Sequence, residues 1–273
     1  MDARLQRRVQ RYGWDRAAND YEIGWRRQLE PAQRLSLDLA GLAPGEDVLD
    51  VACGTGLLSI PAARAVAPGG TVLGTDISRR MVDRAAARAA EEGVGNARFA
   101  RSDAESLEAP DGAFDAALCA LGLMYVPDAG RALEEMLRVL RPGGRAVVAV
   151  WGARASCGWS GIFHVVDERV STEVCPMFFR LGTGETLARS MEAAGFTDVE
   201  SRRIETRLEY DSNESALRAA FAGGPVAMAY SRFDDATRAD AHAAYLETIA
   251  PYRTPAGYDM PGEFVVVRGR RPG

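Results

Sequence analysis

The stretch VLDVACGTGLLS (48–59) holds a short apolar run interrupted by one acid, then two glycines separated by a single residue. VLDVA (48–52) has the length and apolar character of a buried strand, with Asp50 near its end. Gly54 and Gly56 then turn the chain into the helix predicted for TGLLSIPAARAVA (55–67). Glycine suits such a turn because its backbone takes positive φ and lets a ligand come close. A Gly-x-Gly turn alone does not identify that ligand.

Working outward, short apolar runs alternate with amphipathic helices. TVLGTD (71–76) is the second strand, and SRRMVDRAAARAAEEG (78–93) is a helix with Ser78 as its N-cap and Gly93 as its stop. The charges of that helix read as a solvated face with i,i+4 pairs. ARFARSD (97–103) and FDAALCALG (114–122) are the third and fourth strands, and a helix over about 128–140 ends at RPGG before AVVAVWG (146–152), the fifth. This alternation predicts an α/β, doubly wound, mostly parallel sheet. Residues 1–43 read as helical, 153–180 as irregular, 199–209 as a strand, 212–250 as helical again and EFVVVRGR (263–270) as a last strand. The simplest organisation is a single domain over 1–273 with a helical cap or lid formed by 1–30, 153–180 and 212–260.

Composition narrows the function. A net charge of −5 argues against extended nucleic-acid contact, which needs a basic surface. No apolar run reaches the roughly 18–20 residues that span a bilayer, and the N-terminus lacks the apolar centre of a signal peptide. A cytoplasmic location, no nucleic-acid partner and no membrane contact are therefore expected; a homodimer is left open. The four cysteines are too few for a disulfide framework. All 33 basic residues are arginine, which excludes a phosphate-binding P-loop lysine and Schiff-base chemistry.

The acids around the turn point to a ligand. Ser59 stands where a dinucleotide fingerprint has its third glycine. Asp50 places negative charge beside the turn, where a diphosphate would be repelled and an ammonium or sulfonium accommodated. S-adenosylmethionine carries both cations. Asp76, at the end of the second strand, is placed to accept the ribose hydroxyls, as it would also be for NAD. Ile77 and Met81 could flank the adenine, and Asp103, with the Ala104 amide, could meet its amino edge.

DVACGTG (50–56), TDISRRMVDRA (75–85), SDAESL (102–107), FDAALCALGLMYVPD (114–128) and LRVLRPGGRAVVAVW (137–151) resemble the ordered motifs of class I S-adenosylmethionine-dependent methyltransferases. They are most similar to the branch related to the ubiquinone and menaquinone biosynthesis methyltransferases. The resemblance covers roughly 14–210 and the last strand. It implies a seven-stranded Rossmann-like sheet of order 3-2-1-4-5-7-6, with the last strand inserted antiparallel. It also implies that Asp50, Ala52, Gly54 and Gly56 line the methionine half of the cofactor, and that Asp76, Ile77, Met81, Asp103 and Ala104 hold the adenosine. Cys119 matches a position facing the methionine, and Tyr21 an aromatic that closes over the cofactor. The C-terminal signature of the quinone enzymes is absent, and Pro61 lies unexplained inside the first helix after the turn.

The implied reaction is methyl transfer to a small molecule, a secondary metabolite or quinone-like ring, by in-line displacement. Two alternatives stay open, an NAD-dependent oxidoreductase and a non-catalytic S-adenosylmethionine-binding protein. Positioning alone can supply much of the acceleration. The candidate catalytic groups are His164, as a base in the irregular segment, and Tyr21, whose ring also favours a cation; for both, packing is the competing explanation. His242 reads as a surface histidine. Trp14, Trp25, Met124, Tyr125 and Trp159 are candidates for an apolar acceptor pocket. Cys157, His164 and Cys175 match no compact metal pattern, and no metal is expected.

Overall fold

Five parallel strands carry the five apolar runs: β1 (Asp47–Val51), β2 (Thr71–Asp76), β3 (Ala97–Arg101), β4 (Phe114–Ala120) and β5 (Leu140–Trp151). The geometry is that of a computed structural model, which describes residues 3–170 and 177–273. β6 (Thr197–Tyr210), β7 (Arg253–Thr254) and β8 (Gly257–Arg270) complete the sheet. Its order is β3-β2-β1-β4-β5-β8-β6, with β7 paired to β8. β8 lies antiparallel between β5 and β6. The expected path is reproduced, but the strand number is corrected from seven to eight. The two-residue β7 folds back on the start of β8, Arg253 opposite Tyr258, and is too short to leave a periodic signal in sequence.

The middle strands are sealed from water. Val48, Leu49, Ala116, Ala117, Leu118 and the run Ala146–Val150 are each fully buried, and burying a Val or Leu contributes about 1.5–3 kcal/mol. Burial on both faces explains why these strands read as continuous apolar runs.

The helices are α1 (Ala3–Ala17), α2 (Tyr21–Ala40), α3 (Ser59–Ala65), α4 (Arg79–Glu91), α5 (Ala129–Val139), α6 (Gly161–Asp167), α7 (Thr186–Ala193), α8 (Asn213–Leu217), α9 (Ala227–Tyr230) and α10 (Asp235–Ile249). The chain moves outward from β1 through α3 and α4 in one direction and from β4 through α5 in the other; crossovers between parallel strands are right-handed, which puts the two sets on opposite faces. The reversal falls between β1 and β4, and the carboxyl ends of adjacent strands in such a reversal leave a crevice. Ser78 caps α4 as expected, accepting from the Met81 N–H at 3.2 Å, and Gly93 follows the helix with φ +69°.

The helical region 1–43 divides into two helices at residues 18–20. Gly41 (φ +52°) closes the second and donates its N–H to Leu37 O at 3.0 Å. Among the described residues no helix is long and apolar enough to cross a membrane.

Candidate active site

The crevice over β1, β2 and β4 is a cleft of about 750 Å³, its opening to solvent included. Val51, Ala52 and Gly54 line it from the end of β1; Thr75, Asp76, Ile77 and Met81 from β2 and the start of α4. Ser102, Asp103 and Ala104 follow β3, and Ala120, Leu121 and Gly122 follow β4. Arg7, Gln10, Trp14 and Tyr21 cover it from α1 and α2.

The glycine turn closes on an acid. Asp76 Oδ2 accepts the Gly54 N–H at 2.9 Å, and Oδ1 accepts the Ser78 N–H at 2.8 Å. Burial raises the Asp76 carboxyl to about 6, against the lowering effect of those two amides. Each carboxylate oxygen keeps a lone pair for a further donor. Asp76 is thus suited to two vicinal hydroxyls. The Gly54 amide, by contrast, is already spent on a carboxylate and cannot cradle a phosphate.

Three residues around the turn hold unusual backbone. Gly54 (φ +55°) lies against the Tyr21 ring, 3.7 Å from where a Cβ would be. Ala52 (φ 55°) and Leu121 (φ 63°) occupy the left-handed region without being glycine, and both face the cleft. Such strain is held at sites where the surrounding fold over-determines it. A Cβ on Gly122 would stand 2.3 Å from that of Ala52, so only glycine fits there.

Asp50 is turned away from the cleft. It is 1% exposed and accepts the Ser59 hydroxyl at 2.5 Å, which ties the end of β1 to the start of α3. Burial raises its carboxyl to about 7. Its charge still reaches the Tyr21 and Cys119 side chains, whose acidity it lowers. Gly56 (φ +80°) also lies outside the lining; a Cβ there would crowd Ala85 at 3.3 Å, so it serves close packing against α4. Cys119 is 1% exposed and behind the lining, its thiol pushed up to about 12 by burial.

Asp103 faces the cleft, but Arg7 is there before any ligand. Arg7 Nε stands 3.1 Å from Asp103 Oδ2 and donates to Glu105 Oε2 at 2.5 Å, while Asp103 Oδ1 accepts the Glu105 N–H. Arg7, Leu121 and Gly122 had no reading in the sequence. Arg7 is distant along the chain and gives no local signal; a glycine just past a strand at the sheet reversal is the cue that would have flagged Gly122.

A second, aromatic chamber adjoins the cleft and shares Trp14, Tyr21, Leu121 and Tyr125 with it. Trp25, Trp151 and Trp159 form its inner wall. Trp14, Trp25, Tyr125 and Trp159 therefore meet, as expected of an acceptor pocket. Met124 does not: it is buried in the core and lines neither space. Burial, then Asp76, push the Tyr21 phenol above its ordinary range, so it is a neutral donor.

His164 requires correction. It lies on α6 with its side chain 72% exposed, 3.2 Å from Glu168, and lines neither cleft nor chamber. Its neighbours Phe163 and Val165 are 1% and 2% exposed, so the helix packs those side chains inward and leaves His164 to solvent. His242, expected at the surface, is half-buried, within 3.0 Å of the Tyr230 hydroxyl and stacked on that ring, and lines neither space. Cys157 is buried while His164 is exposed, and Cys175 lies outside the described residues.

Comparison with known proteins meets this geometry. A family profile described as a methyltransferase domain matches residues 48–144. A nocamycin O-methyltransferase from Saccharothrix syringae is 31% identical over 227 residues, covering 77% of this chain and 80% of that protein. A ubiquinone/menaquinone biosynthesis C-methyltransferase from Stutzerimonas stutzeri is 34% identical over 186 residues, covering 61% and 71%. Uncharacterized mycobacterial relatives match at 37% identity, and the chain spans about half their length. YcgJ from Bacillus subtilis shares the fold, with a TM-score of 0.63 at 21% identity over 89% of this chain and 99% of that one. With a glycine turn closed on an acid and relatives matched over most of both chains, this protein belongs to the class I S-adenosylmethionine-dependent methyltransferases.

Proposed function

We propose that the protein transfers the methyl group of S-adenosylmethionine to a flat, partly apolar small molecule, a secondary metabolite or quinone-like ring, by in-line displacement. What carries this reading is the adjacency of two spaces. A cleft with Asp76 at its ribose position shares Trp14, Tyr21, Leu121 and Tyr125 with a chamber walled by aromatic rings.

Bound in the cleft, the cofactor supplies a methyl group already activated on a sulfonium. Asp76 holds the ribose, Ile77 and Met81 flank the base, and Asp103 and the Ala104 amide meet its edge once Arg7 shares or yields that carboxylate. Ala52 and Gly54 leave room for the methionine portion. Asp50, Gly56 and Cys119 act from behind the lining, by charge and by close packing. Tyr21 covers the junction between the two spaces and keeps water from it. Alignment in a dry pocket can contribute roughly 7–11 kcal/mol, so no strong base is required. Of the expected lid segments, the described residues 3–30, 153–170, 177–180 and 212–252 serve as the lid; 253–254 and 257–260 belong to β7 and β8 of the sheet, and 171–176 lie outside the described residues.

An NAD-dependent activity is disfavoured by the Gly54 amide, already committed to Asp76, and by that buried carboxylate beside the turn. A purely binding role is disfavoured by the aromatic chamber. The two relatives named for O- and C-methylation fit a small-molecule acceptor, as does the acidic balance of the chain. The test is an acceptor screen read by mass spectrometry. S-adenosylhomocysteine should form together with a product one methylene unit heavier. Tight cofactor binding with no product from a broad panel of ring hydroxyls, ring carbons and amines would contradict transfer.

A further inference from the structure

The sheet ends on a long open edge. β6 is the last strand in the order, with β8 on one side and, among the described residues, no strand on the other. It runs for 14 residues without a proline, where native edges are usually short or interrupted. Successive residues of such a strand point their backbone groups to alternate sides. Opposite Glu205 stands Glu263, whose carbonyl accepts the Gly152 N–H at 2.7 Å, on the β5 side. Glu205 therefore turns its N–H and C=O away from β8, and Ser201, Arg203, Arg207 and Glu209 do the same. Glu209 is closed: the buried Gln28 amide donates to its carbonyl at 2.7 Å and accepts its N–H at 3.3 Å. For the other outward groups no partner on that side is found among the described residues. The edge borders an open groove of about 920 Å³, its opening to solvent included, with Arg27, Arg34 and Leu35 of α2 on its wall.

The outward residues alternate in sign: Arg203, Glu205, Arg207, Glu209. Charges blunt an edge when each copy meets its own kind, and directly opposed like charges destabilise a strand pair. In two identical strands paired antiparallel about a two-fold axis, residues equally far from the axis stand opposite each other. With the axis at Glu205, that acid meets itself and Arg203 meets Arg207. With the axis at Arg203 or Arg207, an arginine meets itself. At Thr206 the charges are unlike, but the pair beyond Glu205 and Arg207 runs into Glu209, where Gln28 already holds the backbone. At Ile204, Arg203 meets Glu205 on both sides of the axis and Ser201 meets Arg207. That register opposes no like charges and keeps every outward group from Ser201 to Arg207 free to pair. Glu205 is exposed, with no ion-pair partner among the described residues, so its charge is unanswered within one copy.

We propose that the protein is a homodimer in which the β6 edges of two copies pair antiparallel about a two-fold axis at Ile204, joining two sheets into one. The interface is isologous, the same patch serving on both copies. Backbone groups from Ser201 to Arg207 form the ladder, as when an extended segment adds to an exposed sheet edge. Glu205 gains the arginine it lacks within one copy, while Arg203 keeps its ion pair with Glu263 at 2.9 Å. Ile204, half-buried in one copy, meets its own counterpart on the axis and loses its contact with water. Gln28 marks where the ladder stops. The dimer goes beyond methyl transfer and does not depend on which acceptor is used.

The experiment is sedimentation equilibrium of the full chain over a concentration series, in which wild type should weigh as a dimer. Glu205→Arg sets arginine against arginine on both sides of the axis, so its dimer should dissociate about tenfold more readily. A second pair of variants tests the register without relying on charge. Opposed residues that bond to β8 rather than to each other stand about 4.5 Å apart, Cα to Cα, within the reach of a disulfide. Ile204 is such a residue and lies on the axis. In a Cys175→Ser background, with Cys53, Cys119 and Cys157 buried, Ile204→Cys should form a covalent dimer on oxidation, and Thr206→Cys should not. Three results overturn the proposal: a wild type that stays monomeric across the series, a dimer whose dissociation Glu205→Arg leaves unchanged, or cross-linking through Thr206→Cys and not through Ile204→Cys.

Discussion

Asp76 accepts two backbone N–H groups before any ligand arrives, yet burial holds its carboxyl at about 6. A ligand that donates hydroxyls favours the ionised form. The sign follows: affinity for S-adenosylhomocysteine is flat above pH 7 and falls as pH drops through 6, by at most tenfold per unit. Calorimetry across pH 5–8 checks this, and Asp76→Asn should bind at least tenfold more weakly with the pH slope gone. At Gly122 the outcome is steric. Gly122→Ala places a methyl 2.3 Å from the Ala52 Cβ, so we expect a loss of about 1–3 kcal/mol in denaturant unfolding together with weakened cofactor binding. The spacing of Asp76 after the glycine turn was legible in the sequence because strand ends and turn residues are local features. The direction of Asp50 was not, since alternation along a buried strand does not tell which acid faces a ligand and which faces Ser59. His164 shows the same limit: an irregular stretch draws attention, but a short helix decides which side meets solvent.

The link between β1 and α3 runs through Asp50 and Ser59. A carboxyl raised to about 7 stabilises the fold while protonated, below the ordinary range near 3.8, and that contribution is lost as pH rises through 7. Asp50→Asn cannot ionise, so its melting temperature relative to wild type should climb between pH 5 and pH 8; a constant difference would show Asp50 is not raised. α1 is held down by Arg7 against Asp103 and Glu105. For a partly exposed pair worth about 1 kcal/mol, Arg7→Ala should speed hydrogen exchange in residues 3–17 about fivefold and leave β4 and β5 unchanged. The helices and strands with strong periodicity were legible in the sequence, from the Ser78 cap to the Gly93 stop. The break at residues 18–20 was hidden by apolar spacing that continues across it, and β7 by its two-residue length.

Across the whole molecule, the reversal of strand order between β1 and β4 gathers the glycine turn, Asp76, Asp103 and the α1–α2 cover at the carboxyl ends of the strands. Alternation alone made the doubly wound class legible; the strand order came from resemblance, because periodicity carries no neighbour relations. The meeting of Trp14, Trp25, Trp151 and Trp159 around one chamber depends on α1, α2, β5 and the turn before α6 closing together, which no local pattern encodes. The central claim is that the turn takes the adenosyl amino acid and not a diphosphate. The most direct measurement is the melting temperature with S-adenosylhomocysteine or NAD, each at a hundredfold excess over the dissociation constant expected for the adenosyl ligand. S-adenosylhomocysteine should stabilise by about 2.7 kcal/mol, a rise of several degrees, and NAD should leave the transition where it stands. A rise with NAD and none with S-adenosylhomocysteine would contradict the assignment.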